Sequence, residues 1–78
     1  ADAAPTRIPS LTARERECLQ WISTGRSRPE VAEVLHLSES TVGYHLHNVN
    51  TKLEATNTIL AIVKALRYRL ISLWDIEN

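Results

Sequence analysis

Ser40, Gly43, Tyr44, His47 and Thr51 recur at the spacing of one helical face, because residues three and four apart lie above one another on a helix. The face is polar or small, with one aromatic ring and no carboxylate. Hydroxyls, a phenol and an imidazole set out in this way can exchange hydrogen bonds with base edges and phosphates. Gly43 is the odd member. A mid-helix glycine costs about 1 kcal/mol against alanine, and at an exposed position the close approach of a ligand or another backbone accounts for it. On the opposite side Val42, Leu46, Val49 and Leu53 fall at i, i+4, i+7 and i+11. That apolar stripe needs a core.

The elements that must hold this helix are legible on either side of it. Arg28 to His47 reads as a short amphipathic helix, a polar break at Ser38-Glu39-Ser40, and the start of the two-faced helix. Two short helices joined in this way form a helix-turn-helix, whose second helix can enter the DNA major groove. A first helix starts at Thr12, with Glu15 three residues on as a capping box. Leu11, Cys18, Leu19 and Ile22 form its inner face, and Gly25 ends it. The second helix starts at Ser27, with Pro29 in its first turn and Glu30 completing another capping box. Val31, Ala32 and Leu35 face inward, and Leu37 plugs the turn. Ser38 or Ser40 caps the third helix, which runs to about Leu53. Thr56 or Asn57 caps a fourth, from about Thr58 to Leu73.

The fourth helix carries Ile59, Ile62, Val63, Leu66, Leu70, Leu73 and Trp74 over a wide arc, with Leu60 and Ile71 outside it. This exceeds what one contact in a small domain requires. Part of it is expected to pair with a second copy, through Leu60, Val63, Arg67 and Ile71. Two-fold dimers are the commonest assembly and suit palindromic DNA.

Seventy-eight residues make one small domain with one core. The expected class is all-α, a compact four-helix domain containing a helix-turn-helix over residues 11–73. Residues 1–10, rich in Ala and Pro, read as a linker remnant and 74–78 as a tail. With no methionine, even at residue 1, the chain reads as a piece of a longer or processed protein. The part expected to be missing is an N-terminal regulatory domain. No run of about 20 apolar residues exists to span a membrane. A lone cysteine, Cys18, suits a reducing, cytoplasmic compartment.

Net charge is zero, from nine basic and nine acidic residues. DNA-binding domains are more often basic, because phosphate contacts supply much of the affinity. Local distribution offsets this. Arg7, Arg14, Arg16, Arg26 and Arg28 face only Glu15 and Glu17 over residues 7–28, and Lys64, Arg67 and Arg69 have no acid among them. A helix-turn-helix used for protein contacts alone fits the neutral total too.

Catalysis and metal binding find no support. His45 and His47 are two apart, so on a helix they point about 200° apart and cannot share an ion. His36 adds no ligand set, and no Ser/His/Asp arrangement or glycine-rich phosphate loop occurs. His45 is expected to make a hydrogen bond that steadies the helix against backbone or phosphate. No enzyme activity, metal or cofactor is expected.

The runs Leu11 to Leu19 (LTARERECL) and Gly25-Arg26-Ser27 point further. So do Glu30-Val31-Ala32, Leu35, Leu37-Ser38, Thr41-Val42, His45, Lys52-Leu53, Ala61 and Ala65. Together they resemble the LuxR-type helix-turn-helix domain of bacterial transcription regulators, across residues 11–71. The resemblance implies a sequence-specific DNA-binding domain, with the third helix (about Ser40 to Leu53) in the major groove and dimer contact through the fourth. It implies control by an N-terminal receiver or small-molecule-binding domain, as in response regulators and quorum-sensing proteins, and RNA polymerase as a further partner. Carried over by position, Gly43, Tyr44 and His47 would contact bases. Ser27, Arg28, Ser40, Thr41, Thr51 and Lys52 would hold phosphates. This chain departs from the family's pattern at Gly43 and His47, where a cationic or amide side chain is usual, and near Thr58, where an arginine is.

Overall fold

Each helix begins where a side chain can satisfy amides that the helix itself leaves unpaired. The computed structural model describes residues 8–72, and in it four helices follow one another: α1 (Ala13–Ser23), α2 (Arg28–Leu35), α3 (Glu39–Lys52) and α4 (Thr58–Arg67). Thr12 and Ser27 cap α1 and α2 as full capping boxes with Glu15 and Glu30. Ser38 caps α3 and Asn57 caps α4, each accepting from the amide three residues on. Of the alternatives left open by the sequence, Ser38 is chosen over Ser40 and Asn57 over Thr56. Ser40 lies within α3. The all-α class holds, and the described residues contain no strand.

The C-terminal ends are just as uniform. Gly25 closes α1 at φ 96°, and His36, Glu54 and Arg69 close the other three at 58°, 54° and 62°. After each of the latter the chain doubles back in the same way. Leu37 donates to Ala32 O at 2.8 Å, Ala55 to Asn50 O at 2.8 Å and Leu70 to Ala65 O at 2.8 Å. This is the six-to-one bond of a left-handed helix cap. Leu37, Ala55 and Leu70 then pack against the core. A left-handed non-glycine residue costs roughly 1–2 kcal/mol, so these caps persist because the apolar residue after each is anchored.

The core is built on α3. Val42, Leu46, Val49 and Leu53 are buried to 2% exposure or less, and α1, α2 and α4 all pack against this helix. From α1 come Cys18 and Leu19, from α2 Val31 and Ala32. Burial pushes the Cys18 thiol upward, against the pull of the Arg14 charge, so it behaves as a small core hydrophobe.

α4 departs from expectation twice. It ends at Arg67 rather than near Leu73, because Arg69 turns left-handed and starts the cap. Leu73 and Trp74 lie outside the described residues. Its inward face is also not the broad aliphatic arc. Ala61 and Ala65 are fully buried, whereas Ile59 is 76% and Val63 44% exposed. Small residues let the helix backbone sit against the core, and Ile62 and Leu66 pack at the edges. Ile71 is corrected as well. At 6% exposure it belongs to the core and is not free to contact a second chain.

Replacing His36 by glycine should raise stability by about 0.5–1 kcal/mol, the left-handed strain relieved less the added freedom of the unfolded chain. A urea denaturation midpoint that stays put or falls would show that the imidazole makes up for its strained backbone.

Candidate nucleic-acid interface

With one side of α3 sealed in the core, its other side faces outward next to the start of α2. Ser40, Tyr44, His47 and Thr51 are all exposed, and Gly43 is half-buried. Tyr44 is 64% exposed, a large area for a ring on a small domain. Thr41 is half-buried and shares a 2.9 Å hydrogen bond with the Ser38 hydroxyl. Ser27 caps α2, its hydroxyl 3.2 Å from Glu30 Oε1. The fold thus brings Ser27, Arg28, Ser40, Gly43, Tyr44, His47 and Thr51 to the surface of the helix-turn-helix.

Among the described residues no other backbone comes close to Gly43; its neighbour is a side chain. A Cβ placed there would lie 3.5 Å from Arg28 Nη1. That is ordinary contact, so the space tolerates an alanine, with the guanidinium lying beside it.

Lys52 is different from the rest of the expected set. Its Nζ donates to Glu15 Oε1 at 2.8 Å. Glu15 itself is only 4% exposed and also accepts from the Thr12 amide at 3.0 Å. Lys52 therefore neutralises a buried carboxylate, and the pair offers a phosphate no net charge. The cation expected to hold a phosphate ties the end of α3 to the start of α1. Burial pushes the Glu15 carboxyl up, but the hydrogen bonds from Lys52 and Thr12 and the Lys52 charge pull harder, leaving it below its ordinary value. Sequence reading identified Glu15 in its capping box. It had no signal for a partner 37 positions away.

His45 also differs. It is half-buried, its ring lies 5.7 Å from that of Tyr44 at 60°, and Nδ1 is buried with no hydrogen-bond partner. The expected steadying hydrogen bond is not made by Nδ1 within the described residues. Among the described residues no group of three His, Cys, Asp or Glu side chains could hold a metal ion. No described helix is long and apolar enough to cross a membrane.

Comparison with known proteins gives this geometry its context. The model for bacterial regulatory proteins of the luxR family matches residues 9–65. The chain belongs to this family. Over 67 residues it is 46% identical to the transcriptional activator protein SolR of Ralstonia nicotianae, covering 86% of this chain and 28% of SolR. It is 46% identical over 61 residues to the quorum-sensing regulator RhlR of Pseudomonas aeruginosa, covering 78% of this chain and 25% of RhlR. The chain thus spans about a quarter of the length of these relatives. The solved structure of the transcription factor GerE superposes with a TM-score of 0.78 at 34% identity, covering 87% of this chain and 98% of GerE. The four-helix arrangement is a GerE-like helix-turn-helix fold, and the chain is a LuxR-family DNA-binding domain of the kind that transcription regulators carry.

Lys52→Ala should cost roughly 1–2 kcal/mol, because it leaves a buried carboxylate without its cation, discounted for the partly exposed lysine. Glu15 titrates lower when folded than its unfolded value of about 4.3. Its contribution is therefore complete above that pH and is lost as pH falls through the folded value. Urea titrations at pH 7 and pH 3 should show the Lys52→Ala penalty shrinking in acid. An equal penalty at both would remove the charge from the explanation.

Proposed function

We propose that this domain recognises a two-fold symmetric DNA site as a pair of copies, each laying α3 in the major groove. The observation that carries the reading is the division of α3: four apolar positions sealed in the core, and a polar face with an exposed tyrosine and histidine turned outward. Tyr44 packs against a thymine methyl or reaches a phosphate, and His47 donates to guanine N7 or O6. Gly43 reads nothing by side chain and lets the helix approach. Ser27, Ser40, Thr41 and Thr51 position phosphates. Lys52 is withdrawn from that set because Glu15 holds it.

The pairing surface is the outer side of α4. Val63 and Arg67 are exposed there and Leu60 is half-buried. Ile59, which was not in the expected set, adds the most exposed apolar side chain of the helix. Ile71 is excluded by its place in the core. The domain works within a longer regulator, whose N-terminal part sets the pairing and meets the signal, and RNA polymerase is a further partner. The place of action is the cytoplasm, where bacterial DNA lies. The activity is binding, with no chemistry performed on the DNA.

Titration with a random-sequence duplex and with duplexes selected by the protein should show affinity falling steeply with salt and a clear preference for the selected site. Tyr44→Ala and His47→Ala should each weaken the selected site by about 1–3 kcal/mol and leave random DNA nearly unaffected. Equal losses on both would remove them as base readers. Absence of binding at low salt would favour a module for protein contacts, the reading that fits a neutral chain with Lys52 engaged internally. For pairing, Val63→Glu should abolish cooperative binding of two copies to a full site and leave half-site affinity unchanged. Sedimentation of the protein with each duplex would decide it, and unchanged cooperativity would rule out the α4 surface.

A further inference from the structure

We infer that Arg28, from the start of α2, reads a guanine of its own at this interface, in addition to the base His47 meets, from the space beside Gly43 on α3. The inference rests on the DNA reading proposed above and assigns within it a simultaneous contact to guanine O6 and N7, which neither Tyr44 nor His47 of the recognition helix can make.

The fixed cations of the described chain can be sorted by what each one touches. Lys52 pairs with Glu15 at 2.8 Å. Lys64 donates to the carbonyls of Leu53 and Glu54 at 3.1 and 2.9 Å, closing the end of α3. Arg14 pairs with Glu17 at 3.1 Å along α1. Arg26 donates to Thr24 at 2.7 Å and lies 4.6 Å over the Trp21 ring. Arg16 and Arg69 line a groove between α1 and the chain after α4, and Arg67 is exposed at the end of α4. Only Arg28 lies against the outer face of α3. Among the described residues no carboxylate or carbonyl holds its guanidinium, although Glu39 stands one turn before Gly43.

The position suits base reading better than phosphate holding. A helix-turn-helix contacts base edges with the early part of its second helix, and Gly43 is the fifth residue of α3. Tyr44 and His47 share the stripe, so a guanidinium beside Gly43 sits in line with both. Any longer side chain at residue 43 would enter its space, since a Cβ alone reaches 3.5 Å from Nη1. A small residue at position 43, glycine here, therefore leaves that space to the arginine of the preceding helix. The planar fork of a guanidinium meets guanine O6 and N7 together, which the point charge of an ammonium does not.

The test is selection from a randomised duplex pool with the 78-residue chain and four variants, Arg28→Ala, Arg28→Lys, Gly43→Ala and Gly43→Leu, each first checked for folding by circular dichroism. The unmodified chain should enrich a guanine at one position of each half-site. Arg28→Ala should lose that preference alone and bind the selected duplex roughly 5- to 150-fold more weakly, the equivalent of one bidentate base contact. Arg28→Lys should not restore it. Gly43→Leu should relax the same position with Arg28 still present, and Gly43→Ala should leave it intact. The inference is overturned if Arg28→Ala enriches the original motif while weakening selected and random duplexes alike and Arg28→Lys recovers both, for that describes a phosphate clamp. It is also overturned if Gly43→Leu leaves the motif unchanged. Enrichment of no motif by the unmodified chain would instead sink the DNA-reading function itself.

Discussion

Everything in this fold depends on one helix being solvated on a single side. α3 must hide Val42, Leu46, Val49 and Leu53 and still present the opposite face to a ligand. A small chain has few ways to do this, because its core is thin and each element has only one other layer to pack on. The solution is to surround α3 on its apolar side with the three other helices. The outward face then rests on the packing beneath it.

The helix ends make that packing possible. Four N-caps satisfy the leading amides with Thr12, Ser27, Ser38 and Asn57. At the other ends a left-handed residue reverses the chain within two positions, so connections stay short. Three of these residues are not glycine. Local backbone preference is overruled there by the burial of the residue that follows, as at Leu37, which packs against the core between α2 and α3.

Charge is divided by the same logic. The chain is neutral overall, and several of its cations serve internal contacts. Lys52 holds Glu15, and Lys64 caps α3. An isolated count of basic residues therefore overstates the charge available to a nucleic acid. Beside the outward face of α3 lies the guanidinium of Arg28, next to a glycine and in line with a phenol and an imidazole.

The sequence by itself determined the two capping boxes, the stripe of α3, the helix-turn-helix and the identity of its exposed face. Each of these is written in residues within one turn or one helix of one another. Only tertiary structure decided the rest. The apolar arc of α4 offered several possible inward faces, and close packing selected Ala61 and Ala65. Ile71 went to the core once the chain had turned at Arg69. Lys52 met Glu15, and Arg28 met Gly43, only because helices distant in sequence cross in space. Periodicity specifies a face when one stripe alone is apolar. It carries no information about which side chain from another helix will come to rest on it.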